Sequence, residues 1–180
     1  MPAVKKMSIT LLFGLMAAFC MILFVLGTYL AGPIVFLGWA SYLGVAIVVL
    51  LASTAAVIEK RSNRGALEFR PALKVSFGVL TLAVFSQTFF TWLLLNVIDP
   101  HFKQRLLPVL MANTESAYHR FGSTEEQLRQ VLDDIRIHDQ WSPGRMISGM
   151  GYQLILCFLI ALLIAATVKT KKRATTKEGL

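Results

Sequence analysis

NVIDPHFKQRLLPVLMANTESAYHRFGSTEEQLRQVLDDIRIHDQWSPGR, residues 96–145, is the one long polar passage in a chain otherwise built of uncharged apolar runs, and its reading decides the fold. Two X-Pro steps, Asp99-Pro100 and Ser142-Pro143, bound it, and the residue before a proline is turned away from the helical region. Between them acidic and basic side chains are interleaved. Leu107, Leu110, Met111, Ala117, Tyr118 and Phe121 recur at the three-and-four spacing of one helix face, with Pro108 near the start as a kink or a first-turn residue. Gly122 suits the left-handed close of that helix, and Ser123 with Glu126 reads as a Ser-x-x-Glu capping box for a second. Leu128, Val131, Leu132 and Ile135 then form its apolar stripe. The expectation over residues 99–142 is a helical hairpin whose two stripes bury each other or a partner.

Outward from the hairpin, the flanking sequence is made for lipid. Residues 7–30 carry no charge and exceed the roughly 20 apolar residues that a span needs, so they read as a retained first membrane helix and not as a shorter signal peptide. Ala31-Gly32-Pro33 makes a turn, and residues 33–58 form the second span, with Pro33 at a first helical position. Residues 71–97 form the third, Lys74 lying close enough to its entry to snorkel, and residues 146–168 form the fourth, behind Ser142 as N-cap and Pro143 as first residue. Residues 169–180 are a basic tail. The chain therefore reads as a single all-α membrane domain: four transmembrane helices with an extracytoplasmic helical hairpin between helices three and four.

Lysine and arginine orient such a chain. The tip with Lys5 and Lys6, the loop with Lys60, Arg61, Arg64 and Arg70, and the tail all fall on one side of four spans, whereas the hairpin is nearly balanced. Both termini are expected in the cytoplasm and the hairpin outside. Topology thus accounts for the net charge of +8 without a nucleic-acid partner. The basic loop and tail also face anionic lipid headgroups, although orientation alone explains them. Cys20 and Cys157 fall inside the first and fourth spans, where they act as small hydrophobes and not as a disulfide framework.

Little in the sequence points to chemistry. His101, His119 and His138 lie in the hairpin with Asp99, Glu115, Asp134 and Asp139, but at no metal-ligand spacing, and no nucleophile elbow, phosphate loop or HExxH is present. No enzyme activity, cofactor or metal is expected. The spans hold no mid-depth acid, histidine or arginine, which argues against proton coupling. Their polar side chains include Gln87, Asn96 and Gln153, for which hydrogen bonding between helices is the plain reading and a shared polar path the sharper one. Gly14, Gly27, Gly32, Gly38, Gly44, Gly78, Gly149 and Gly151 would let helices approach closely.

Several stretches carry a family likeness: EKRSNRGALEFRPALK at residues 59–74, VIDPHF at 97–102, GSTEEQL at 122–128 and WSPG at 141–144. Together they resemble the bacterial membrane family known as domain of unknown function 4199 (DUF4199), except that Ala66 stands where a second glycine is expected. The resemblance implies a four-span inner-membrane protein with a helical excursion before the last span, and it transfers no catalytic residue.

The function expected is that of a non-enzymatic accessory or scaffolding subunit. Its hairpin would contact another envelope protein, or a second copy of the chain, through Phe102, Tyr118, Phe121 and Trp141, because aromatic anchors dominate interfaces. The alternative is a small oligomeric channel or transporter whose path is lined by Gln87, Asn96 and Gln153. The orientation is checked by single cysteines at Ser116 and Thr175: a membrane-impermeant reagent on whole cells is expected to label Ser116→Cys and to miss Thr175→Cys, and the reverse inverts the topology.

Overall fold

The computed structural model describes residues 8–63, 65–122 and 124–170, and every regular element among them is helical. The N-terminal basic tip, Arg64, Ser123 and residues 171–180 lie outside the described residues. In chain order the helices are α1 (Ile9–Ala31), α2 (Pro33–Phe36), α3 (Ala40–Ser62), α4 (Phe69–Leu93), α5 (Phe102–Arg120), α6 (Glu125–Ile137) and α7 (Pro143–Val168). A π-helical turn, Leu94–Ile98, prolongs α4. Four helices are long and apolar enough to cross a membrane: α1, α3, α4 with its π turn, and α7.

The second span does not start at Pro33. Gly32, at φ 104°, turns the chain, and Pro33 opens only the single turn of α2. The turn then tightens at Gly38, whose N–H donates to the Val35 carbonyl and where any Cβ would strike the Ile34 carbonyl oxygen. Only glycine fits that position, and the membrane helix begins afresh at Ala40 and runs past Ile58 to Ser62. The third helix starts at Phe69, ahead of Pro71, because a proline in the first turn removes an N–H that has no carbonyl to meet there.

α4 is the central helix, packing against α1, α3 and α7. Lipid supplies no hydrophobic force between helices, so their association rests on close van der Waals fit, which small residues permit. Alanine does most of this: Ala17, Ala52, Ala55, Ala56, Ala72, Ala83, Ala161 and Ala165 are all buried. Glycine contributes at fewer points than the sequence implies. Gly14 lies against Leu82 and Gly78 against Thr10, a repeated register that sets α1 parallel to α4, and Gly44 lies against Phe24 and Met21. By contrast, a Cβ at Gly27, Gly149 or Gly151 would meet nothing within 4 Å.

Each end of the bundle is closed differently. At the basic-loop end Leu67 is buried with Ala72 and Ala165, and the first tail residues fold onto the loop. There Thr170 donates its N–H to the Leu67 carbonyl at 2.9 Å, accepts from the Leu67 N–H at 3.1 Å and donates its hydroxyl to the Gly65 carbonyl at 2.9 Å. At the other end Trp39, just ahead of α3, and Tyr42 in its first turn stand 75% and 77% exposed, in the manner of an interfacial aromatic belt, and the hairpin lies beyond them.

A substitution pair checks this packing. A Cβ on Gly78 would lie 2.6 Å from the Thr10 methyl, whose χ1 is stiff, so Gly78→Leu is expected to destabilise by about 1–3 kcal/mol through overpacking. Gly151→Leu, facing open space, should leave the thermal unfolding midpoint in detergent unchanged; equal midpoints for the two variants would refute the α1–α4 register.

Candidate functional site

The hairpin closes through Gly122, at φ 66°, as its sequence implies. The cap of α6 falls one residue later than Ser123–Glu126: Thr124 is the N-cap, accepting the Gln127 N–H at 3.4 Å, while the Gln127 side chain accepts the Thr124 N–H at 3.3 Å. Thr-x-x-Gln serves the same purpose as Ser-x-x-Glu, and two overlapping boxes compete in STEEQ. Along α6, Leu128, Val131 and Leu132 are half-buried and Ile135 buried, facing the half-buried Leu107, Leu110 and Met111 side of α5.

The first half of α5 is fastened across the bundle. Phe102, expected at an interaction surface, is instead 1% exposed, with Leu106 and Leu95 in a cluster against Tyr29, Phe36, Leu37 and Trp141. Its ring meets Tyr29 and Phe36 edge-on at centroid distances of 4.8 and 5.5 Å. Further on, the Asn113 side chain donates to the Leu37 carbonyl at 3.2 Å, so α5 stays docked over roughly 16 Å of helix. Beyond Asn113 no hydrogen bond or ion pair among the described residues ties this arm to the membrane helices. There Tyr118 is half-buried in an open concavity with Ala117, Gln127 and Val131, and Phe121 is 87% exposed at the tip.

Three polar clamps fix the base. Asp99 accepts from the Tyr29 hydroxyl at 3.0 Å, from Arg105 at 2.9 Å and from the Phe102 N–H at 3.2 Å. Lys103 donates to the Asn96 side-chain oxygen at 2.6 Å and to Asp139 at 2.7 Å, while Asn96 donates to the Trp141 carbonyl at 3.2 Å. Arg145 grips Asp134 with both terminal nitrogens at 2.8 Å and donates to Gln140 at 3.0 Å. Asn96 is therefore a structural tie of the hairpin, and Trp141, held by its N–H and its carbonyl, belongs to the same base.

Beneath this base is a cleft of about 370 Å³ between the helices, within the range of roughly 300–1,000 Å³ usual for ligand sites. Trp141, Gln140 and Arg145 roof it; Phe24, Thr28, Phe36 and Met146 wall it; and Gln87, Thr88, Thr91 and Gln153 supply polar groups. It narrows to a crevice of about 40 Å³ where Gln87 and Gln153 give way to Met21, Val48, Leu80 and Ile160. Gln87 and Gln153 thus come together, without Asn96, and neither amide bonds to another described residue. That departs from the interhelical hydrogen bond their positions suggest. On the other side of the Met146–Met150 edge lies an apolar groove of about 190 Å³ lined by Phe85, Phe89, Trp92 and Ile147, where the Trp92 indole nitrogen is buried without a partner among the described residues.

Among the described residues no three His, Cys, Asp or Glu side chains gather as metal ligands. His119 lies 3.9 Å from Glu115 and His138 3.0 Å from Asp134, each one turn away on its own helix. Sequence reasoning missed Tyr29, Asp99, Lys103 and Arg145 as functional supports. The signal available was the charge density just after Asp99-Pro100 and just before α7.

Fold and site together define a class: an all-helical protein whose four membrane-length helices carry a polar hairpin clamped across one end. Residues 9–170, nearly the whole chain, match the family described as protein of unknown function (DUF4199), and the chain belongs to that family. No curated protein and no solved structure matches it.

The clamps set a pH dependence. The hydrogen bonds from Arg145 hold Asp134 below the ordinary carboxylate value of 3.8, outweighing burial, with His138 and Gln140 adding to the same effect. Burial pushes Asp139 upward, but Lys103 and the Trp141 N–H together bring it below 3.8 as well. A lowered native value means stabilisation that is complete above 3.8 and lost as pH falls through that lower native value. Hydrogen exchange over α5 and α6, corrected for intrinsic rate, is therefore expected to be equally slow at pH 7 and pH 5 and to accelerate only below about pH 4; loss of protection already at pH 5 would show that these carboxylates do not hold the hairpin.

Proposed function

We propose that this chain is a non-enzymatic accessory subunit of the bacterial inner membrane, with both termini cytoplasmic and a hairpin that reaches another envelope protein. The observation that carries the reading is the division of the hairpin into a clamped half and a free half. Phe102, Leu106 and three polar ties spend the base on attachment, while Tyr118 and Phe121 stand on the unattached end. An arm held in one direction presents its contact residues without first having to order them, which is what favours binding. A large aromatic exposed at such a position, as Phe121 is beside the half-buried Tyr118, is the residue type that anchors interfaces. The excess of Lys60, Arg61, Arg70 and Lys169 on the far side supports the orientation.

The conduit reading has less support. The cleft that holds Gln87 and Gln153 is blind: it tapers to Leu80, Val48 and Ile160, and beyond them the described core is filled by Ala52, Ala55, Ala56, Val79 and Ala161.

A photo-activatable residue placed at Phe121 provides the test. In membranes of cells that make the protein, irradiation is expected to yield one protein adduct of defined mass, reduced at least tenfold by Tyr118→Ala, while the same probe at Glu126 yields none. Adducts to lipid alone, or equal yields at both positions, would overturn the contact-arm reading.

A further inference from the structure

We propose that the cleft beneath the hairpin binds one ester-linked, zwitterionic glycerolipid from the hairpin-side leaflet, its head under Trp141 and its chains leaving between α3 and α7. This assignment is independent of what the hairpin tip contacts.

Three observations carry it. The first is the pair of unbonded amides. Gln87 and Gln153 each bring a two-hydrogen donor and a carbonyl acceptor into a membrane-depth cleft, and none of these groups bonds to another described residue. Polar groups left unpaired away from bulk water are strongly unfavourable, so the cleft is suited to an occupant with acceptors and donors of its own. Ester carbonyls accept from the amide N–H groups, and a head-group ammonium donates to the amide oxygens.

The second is the order of the lining. From roof to base it passes from Arg145 and Gln140, through the glutamines, to Val48 and Ile160. That sequence of polar head, hydrogen-bonding middle and hydrocarbon matches a glycerolipid entering from the hairpin side. The third is access and charge. Ser41 and Val45 on α3 and Gly149 on α7 are exposed where they flank the cleft, which leaves it open sideways to lipid. At its mouth Arg145 is paired with Asp134, and nearby Lys103 with Asp139, so the site offers no unbalanced charge to an anion and suits a zwitterion.

Lipid-stripped protein in mild detergent, titrated with dioleoylphosphatidylethanolamine and followed by native mass spectrometry, tests the assignment. One lipid per chain is expected, at concentrations at least tenfold below those at which dioleoylphosphatidylglycerol binds. Gly149→Phe should lower occupancy at least tenfold by filling the mouth, since nothing within 4 Å of a Cβ there opposes the substitution. Gly151→Phe, equally unhindered and outside the lining, should not, and Phe121→Ala should leave occupancy unchanged, which separates this site from the contact arm. Gln87→Leu with Gln153→Leu should reduce occupancy at least fivefold without closing the cleft. A ladder of adducts with no preferred stoichiometry, equal occupancy in Gly149→Phe and Gly151→Phe, or phosphatidylglycerol binding as tightly as phosphatidylethanolamine would overturn the proposal.

Discussion

The Asp99 carboxylate is the point on which the hairpin end of the molecule depends. It stands where α4 must stop, because the following Pro100 cannot continue a helical ladder, and the extra residue of the π turn brings its N–H to the Leu94 carbonyl at 2.8 Å. Three donors then converge on it: the Phe102 N–H fixes the start of α5, the Tyr29 hydroxyl ties it to α1, and Arg105 closes over the Phe102 ring at 4.8 Å. With its start fixed, α5 lies against α2 and the Tyr29 end of α1, and the burial of Phe102 and Leu106 follows. Lys103, one residue on, is then in reach of Asn96 and Asp139, which sets the return of the chain into α7.

The two ends of the bundle differ for a related reason. Toward the basic loop the facing residues are alanines, and α4 draws α1, α3 and α7 close around it. Toward the hairpin the positions that line the cleft carry Phe24, Met146, Met150, Gln87 and Gln153. The cleft opens among these longer side chains, roofed because Asn96 and Lys103 hold the Trp141 segment above it.

This division also marks how far the sequence could be read. The membrane helices were legible because hydropathy over about 20 residues is a one-dimensional property, and the hairpin because Gly122 and the period of its stripes are local. The break at Gly38 was not, since it depends on a backbone clash with Ile34 that apolar composition hides. Phe102 was misplaced because exposed and buried aromatics look alike at the start of an amphipathic helix; the neighbours that bury it, Tyr29 and Phe36, lie some 70 residues earlier in the chain. The meeting of Gln87 with Gln153, on the fourth and seventh helices, required the helix arrangement itself.

Side-chain length explains which polar groups the cleft was left with. In a membrane helix a short hydroxyl returns to a carbonyl three or four residues back, as Thr28 does to Phe24 and Val25, Thr54 to Leu50 and Thr167 to Ile164. Asparagine does likewise: Asn96 reaches the Trp92 carbonyl at 3.0 Å. The three threonines are satisfied by their own helix, while Asn96 adds its ties to Trp141 and Lys103. Glutamine is a methylene longer and projects past its own backbone, so Gln87 and Gln153 carry their donors and acceptors out to the cleft. Gln87 and Gln153 thus differ from the short hydroxyls in carrying groups unpaired among the described residues into an open cleft, whereas the unpaired hydroxyls of Ser76 and Thr81 are enclosed by the bundle. The two amides are unpaired span groups placed to meet a partner from outside the chain, below the clamped hairpin and beside the gap between α3 and α7.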